Sequence, residues 1–135
     1  MREILFRGKD LQEHNGWLYG YFYKSDINKR ERESGKATLI FTPNCDTFIY
    51  VPEYHNSWMV KPETLGEYVA LKDKNGLTKI FEYDIIDANG RKVGNYYENS
   101  NLLKDGTCIL VAKMGTKEWS RSEQEAIKRG CKYAE

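Results

Sequence analysis

Three Asn-Gly pairs, Asn15-Gly16, Asn75-Gly76 and Asn89-Gly90, punctuate a chain whose apolar residues fall in short runs, and nothing else in the sequence restricts the fold as strongly. Asn and Gly accept the positive φ of a tight turn at little steric cost, and runs that alternate apolar with polar residues suit strands with one buried face. Glu3 to Arg7 sets Ile4 and Phe6 between polar neighbours, and Trp17 to Tyr23 follows Asn15-Gly16 after a link too long for a two-residue hairpin. Ala37 to Phe41 and Thr47 to Val51 bracket Thr42-Pro43-Asn44-Cys45-Asp46, the composition of a turn, so a second hairpin is expected there. Trp58 to Val60 reads as a short strand ended by Pro62.

Tyr68 to Leu71 and Lys79 to Ile86 flank Asn75-Gly76, the strongest hairpin signal, and a turn at Asp87 to Gly90 leads into Arg91 to Tyr97. Thr107 to Lys113 is a continuous apolar run, expected as a strand buried on both faces. Ser25 to Lys36, dense in charges of both signs, reads as a solvated loop. The tail differs. Ser120-Arg121-Ser122-Glu123 has the pattern of a capping box, helix formers continue to Lys128, and Gly130 is placed to end a helix of about three turns. The expected class is mainly β, a β-rich α+β protein: a small barrel-like or sandwich-like sheet with one C-terminal helix.

At 135 residues, 40% of them apolar, the chain is long enough for one real core. Its 21 basic and 20 acidic side chains leave a net charge of +1, which gives no bulk field to gather a polyphosphate or an anionic membrane. No apolar run approaches the ~20 residues that span a bilayer, and the opening Met1 to Gly8 lacks the apolar stretch of a signal peptide, so a cytoplasmic location without membrane contact is expected. Cys45, Cys108 and Cys131 are an odd number at long spacings, unlike a disulfide framework or a zinc cluster.

Chemical signatures are sparse. His14 and His55 are isolated from each other and from the cysteines, and no phosphate-binding glycine loop occurs, so no metal, cofactor or catalytic residue is assigned and the chain reads as a non-enzyme. Glu63, Glu67, Glu82 and Asp84 crowd one region, and paired carboxylates can serve as general acid and base, but Glu82 and Asp84 alternate with Phe81, Tyr83 and Ile85 as the polar face of a strand would. Cys108 lies in the apolar run, where burial makes a thiol inert, and Cys131 beyond the helix reads as the more exposed thiol.

Aromatic density is the feature that needs an account. Trp17, Tyr19 and Tyr21 share one face of an expected strand, continued by Tyr23. Such a face can stack unpaired bases, with Lys72, Lys74 and Lys79 as phosphate contacts, or it can form core or a protein interface; the near-neutral charge favours the latter. Ile127 on the expected C-terminal helix is a further candidate contact for a partner.

Several stretches together carry a resemblance. Arg2 to Lys9 followed by Gly16-Trp17-Leu18-Tyr19-Gly20-Tyr21, then Pro62 to Tyr68, Leu71 to Gly76 and Glu82 to Ile86, and finally Val93 to Leu103, resemble the YopX-like family of phage and prophage proteins. Against that pattern Tyr83 stands in a glycine position and Ser100 in a proline position, and the stretch between the last two blocks is reduced to Asp87 through Lys92. The resemblance implies a YopX-like β-rich region over 1–103; residues 107–135 match nothing in the family, and the strand and helix of 104–135 are expected on the same domain or at an interface. It further implies a phage-associated protein of the bacterial host cytoplasm; together with the missing catalytic signatures and Ile127 on the expected helix, it leads to the expectation of an accessory protein acting through a protein partner or as a homo-oligomer, with nucleic acid on the aromatic face as the alternative. The family brings no established reaction or site residues.

Overall fold

The computed structural model describes residues 3–35 and 45–134, apart from the side chains of Glu31 and Arg32. The chain divides into two units, one of Leu5–Leu65 and one of Met1–Ile4 with Gly66–Glu135. This division falls at Leu65–Gly66, away from Leu103.

In the unit Leu5–Leu65, the alternating runs become strands β1 (Phe6–Lys9) and β2 (Trp17–Lys24). The link between them is shaped by Asp10, whose carboxylate accepts the N–H groups of Gln12 and Asn15 at 3.0 and 3.1 Å and the Asn15 side-chain amide at 2.9 Å. Helix α1 (Ile27–Glu33) comes next, where a solvated loop was expected. The charges that rule out a core there also supply good helix formers and an i,i+4 ion pair, Asp26 to Arg30 at 2.9 Å, so an exposed helical turn forms without an apolar face. Ser25 Oγ accepts the Ile27 N–H at 3.3 Å, and the Asn28 amide donates to the Cys45 carbonyl at 2.8 Å.

The expected strand Ala37 to Phe41 and most of the turn after it lie outside the described residues. Beyond them run β3 (Thr47–Val51), a single 3₁₀ turn at Pro52–Tyr54 and β4 (Asn56–Met59). Strands β1 to β4 form an antiparallel meander, each paired with the next. The meander curls until Asp10 bridges Val60 and the Lys61 N–H reaches the Lys9 carbonyl at 2.8 Å. Among the described residues neither this sheet nor any other closes into a barrel.

Curling encloses one face. Leu18, Ile49, Val51 and Val60 are buried there, with Phe6, Phe22, Trp58 and Leu65 packed against them. Each such aliphatic residue contributes about 1.5–3 kcal/mol by leaving water. Room for the curl is made at Gly20, where a Cβ would stand 2.0 Å from the Tyr50 carbonyl oxygen.

The second unit starts with β5 (Gly66–Lys72), which bulges between Tyr68 and Leu71 with Ala70 at φ +64°. The run from Lys79 to Ile86, expected as one strand, is two: β6 (Lys79–Phe81), paired with β5, and β7 (Asp84–Ile86). Tyr83 breaks it at φ +71°, a conformation that periodicity does not reveal. Strand β7 pairs on one side with β8 (Lys92–Asn95). The chain then enters the short helix α2 (Tyr96–Asn99), where Asn95 Oδ1 accepts the Glu98 N–H at 3.0 Å and ends the strand two residues before Tyr97.

On its other side β7 pairs with β9 (Ile109–Leu110), two half-buried residues in place of the expected Thr107 to Lys113 strand. Helix α3 (Lys117–Lys128) starts earlier than the capping-box reading: Thr116 is the N-cap, accepting the Trp119 N–H at 3.3 Å, while Ser122 accepts the Ala112 N–H. Gly130, at φ +111°, follows its end, and β10 (Lys132–Tyr133) pairs with β5. Val111, Ala126 and Cys131 join Val69, Leu71, Ile80 and Ile86 in one core, so residues of 104–135 are part of this unit's interior. The architecture is mainly β, ten strands among the described residues in antiparallel sheets with one C-terminal helix of 12 residues.

Candidate functional site

Strand β2 buries Leu18 and Gly20 and turns Tyr19, Tyr21 and Tyr23 outward. These three rings are 43%, 53% and 41% exposed, which removes the expectation that they form core. Cross-strand register adds to the same face Phe48, opposite Tyr23, and Tyr50, opposite Tyr21. Tyr23 and Phe48 stack at 5.2 Å with planes 10° apart, an arrangement that holds both rings upright on the sheet. Trp17 opens the row and is half-buried, with the buried Arg7 guanidinium 4.8 Å above its ring. An aromatic face of this kind offers rigid, amphipathic contact area.

At the end of the meander, where β3 passes through the 3₁₀ turn into β4, a cleft of about 470 Å³ opens. Trp17, Tyr19, Tyr54 and Trp58 line it together with Asn15 and Glu53. Tyr54 meets Trp58 edge to face at 5.9 Å and 87°. His55 sits in the left-handed region at φ 51° and directs its N–H to the Pro52 carbonyl, which fixes the turn that carries Glu53 and Tyr54. Sequence reading missed this group, because Pro52 to Tyr54 carries no period; the Pro52 that starts the turn was the available signal.

The lysines singled out with the aromatic row belong to the other unit. Lys72 lies in β5 between Lys132 of β10 and Lys79 of β6, all three on one face. Lys79 also pairs with Glu3 at 2.7 Å and lies 5.5 Å over the Tyr68 ring. Lys74 donates its backbone N–H to Gly90 at 2.9 Å, and its side chain runs along Gly130. Ile127 projects from α3 and is 37% exposed.

Glu82 and Asp84 do not form the solvated face of a strand. Both are buried, and the break at Tyr83 puts them to structural use. Glu82 accepts the backbone N–H groups of Glu67 and Met114, each at 2.9 Å, which staples β5 to the segment before α3. Asp84 accepts the Phe81 N–H at 2.7 Å and pairs with Lys92 at 3.1 Å.

The exposed and buried thiols are the reverse of the expectation. Cys131 is 3% exposed and Cys108 is half-buried. Burial, reinforced by the negative charge of Asp73, pushes the Cys131 thiol up to about 11, with Arg129 opposing. On the surface, the Lys61 ammonium hydrogen-bonds to Glu13 and holds its carboxyl below the usual range, and the hydrogen bond from Tyr133 to Glu123 raises the phenol. Among the described residues no three His, Cys, Asp or Glu side chains come together as a metal site, and no helix is long and apolar enough to cross a membrane.

Comparison of the chain with protein-family models, with curated proteins and with solved structures gives no match.

Proposed function

We propose that this protein is a non-catalytic interaction module, a phage- or prophage-associated accessory protein of the YopX-like type working in the bacterial cytoplasm, and that the tyrosine face of β2 is its contact surface for a protein. The observation that carries this reading is the outward row Tyr19, Tyr21 and Tyr23, solvent-exposed on a sheet whose opposite face is already filled. Tyrosine in such a row loses little side-chain entropy on contact and pairs an apolar ring with a polar tip, which suits protein interfaces. A non-catalytic role is supported by Glu82, whose two carboxylate oxygens take the N–H groups of Glu67 and Met114, and by Asp84, whose Oδ2 takes the Phe81 N–H and pairs with Lys92.

A second reading has one observation of its own. Lys132, Lys72 and Lys79 are cross-strand neighbours on one face, and with Glu3 paired to Lys79 they leave a net positive row that offers countercharge to an anion such as a nucleic-acid backbone. Fluorescence anisotropy with a labelled single-stranded oligonucleotide separates the two. The protein-contact reading expects no binding that weakens steeply between about 50 and 200 mM salt. Salt-sensitive binding lost on replacing Tyr19, Tyr21 and Tyr23 by serine would put nucleic acid on the tyrosine face, and salt-sensitive binding lost on replacing Lys72, Lys79 and Lys132 by glutamine would bear out the lysine reading.

A further inference from the structure

We propose that the cleft bordered by Trp17 and Trp58 is a cation-binding site, which seats the guanidinium or ammonium group of an Arg or Lys side chain carried by the protein docked on the tyrosine face. Aromatic rings attract cations through the negative charge of their faces, and Trp and Tyr are the residues that do so best. Trp17, Tyr19, Tyr54 and Trp58 bring four such rings to one opening, and Glu53 is the only charged residue among the described residues that line it. The lining residue Asn15 is held in place by the buried Asp10 carboxylate, which takes its side-chain amide at 2.9 Å.

The chain supplies its own precedent, since Arg7 places a guanidinium 4.8 Å from the Trp17 centroid. Arg7, and Lys9 opposite Trp17 in the register of β1 and β2, are the positive groups a second cation must tolerate. Glu53, from the turn between β3 and β4, supplies the countercharge within the opening itself. An anion meets the opposite balance: a carboxylate in the lining and no lysine or arginine there. A neutral apolar group would fill the volume but leave Glu53 and Asn15 without a role.

The choice of a protein-borne cation rests on the interaction reading above and on Tyr19, which belongs to both the outward row and the cleft. A protein lying on the row is thereby within reach of the opening.

The test uses the intact protein labelled with ¹⁵N, titrated with tetramethylammonium, with N-acetyl-arginine amide and with neopentyl alcohol as a neutral analogue of the same shape. The indole N–H signals of Trp17 and Trp58 are expected to move saturably with both cations and far less with the alcohol, while Trp119, in the other unit, stays still. Glu53→Gln, at an exposed position, should weaken the cations by about three- to tenfold and leave the alcohol unchanged. Equal response to cation and alcohol, or no response of Trp17 and Trp58 to either cation, overturns the proposal. Tighter binding of tetramethylammonium than of the arginine amide overturns the protein source and points to a free quaternary amine. None of these results depends on a protein partner, so failure of the cleft and failure of the tyrosine face are read separately.

Discussion

Lys92 places its ammonium 3.1 Å from Asp84 Oδ2 and 5.6 Å over the Phe81 ring, closing the corner where the chain passes from β6 to β7. The carboxylate is fully buried, and the lysine side chain keeps 18% of its exposure. Breaking a buried pair from one side strands a charge, so Asp84→Ala should cost about 3–5 kcal/mol in urea unfolding. Replacing both ends with Asp84→Leu and Lys92→Met should recover much of that loss. If Asp84→Ala costs less than about 1 kcal/mol, the pair has the worth of a surface ion pair and the corner is held by something else.

Gly20 is where β2 approaches the Tyr50 carbonyl, 2.0 Å from the place of an added Cβ. Gly20→Ala must push β2 and β3 apart beneath the tyrosine row, and a loss of about 2–3 kcal/mol is expected in thermal or urea unfolding. The same experiment on Tyr21→Ser, on the outward face of the neighbouring position, should change stability by about 0.5 kcal/mol or less.

Ala70 holds φ +64° at the bulge of β5, a conformation that costs an L-residue about 1–2 kcal/mol. Glycine relieves that strain and returns part of the gain as unfolded-state entropy. Ala70→Gly is therefore expected to raise stability by about 0.5–1 kcal/mol, and a loss of that size would mean that the methyl group matters more than the backbone.

Cys131 keeps its proton in the folded protein to about pH 11, against 9.0 for the unperturbed thiol. Between those values the unfolded chain releases a proton that the folded chain retains, so stability present below pH 9 falls as the pH rises toward 11. Unfolding followed across that window should show a steeper decline for the native chain than for Cys131→Ala. At pH 8 a thiol reagent should label the half-buried Cys108 well before Cys131.

Much of this architecture was legible because it rests on local rules. Period-two alternation located β2, and Thr47 to Val51 is a strand over the bounds expected. Asn75-Gly76 gave the turn between β5 and β6, and the helix-forming tail gave α3. What escaped were features set by tertiary contact. The left-handed Tyr83 splits the strand expected over Lys79 to Ile86 because the backbone of Val111 and Tyr96 takes up its N–H and carbonyl. That break carries Glu82 and Asp84 from an expected solvent face into the interior. The outward placement of Tyr19 and Tyr21 follows from which face the curled meander encloses, and alternation alone cannot choose between the two faces. The cleft escaped for a related reason: it joins Trp17 to Trp58 across a meander whose curl, and whose 3₁₀ turn at Pro52–Tyr54, no local pattern announces.

Contact between the tyrosine row of β2 and a protein is what the proposed function requires. A photoreactive benzoylphenylalanine placed at Tyr21, with a control at Leu77, which is 82% exposed in the other unit, tests it in bacterial cells producing the full chain. A discrete, protease-sensitive adduct is expected from position 21, absent from position 77 and lost when Tyr19 and Tyr23 are changed to serine. An adduct that includes a second copy of the chain would identify the occupant as the protein itself. A nuclease-sensitive adduct, or equal adducts from both positions, would contradict the claim.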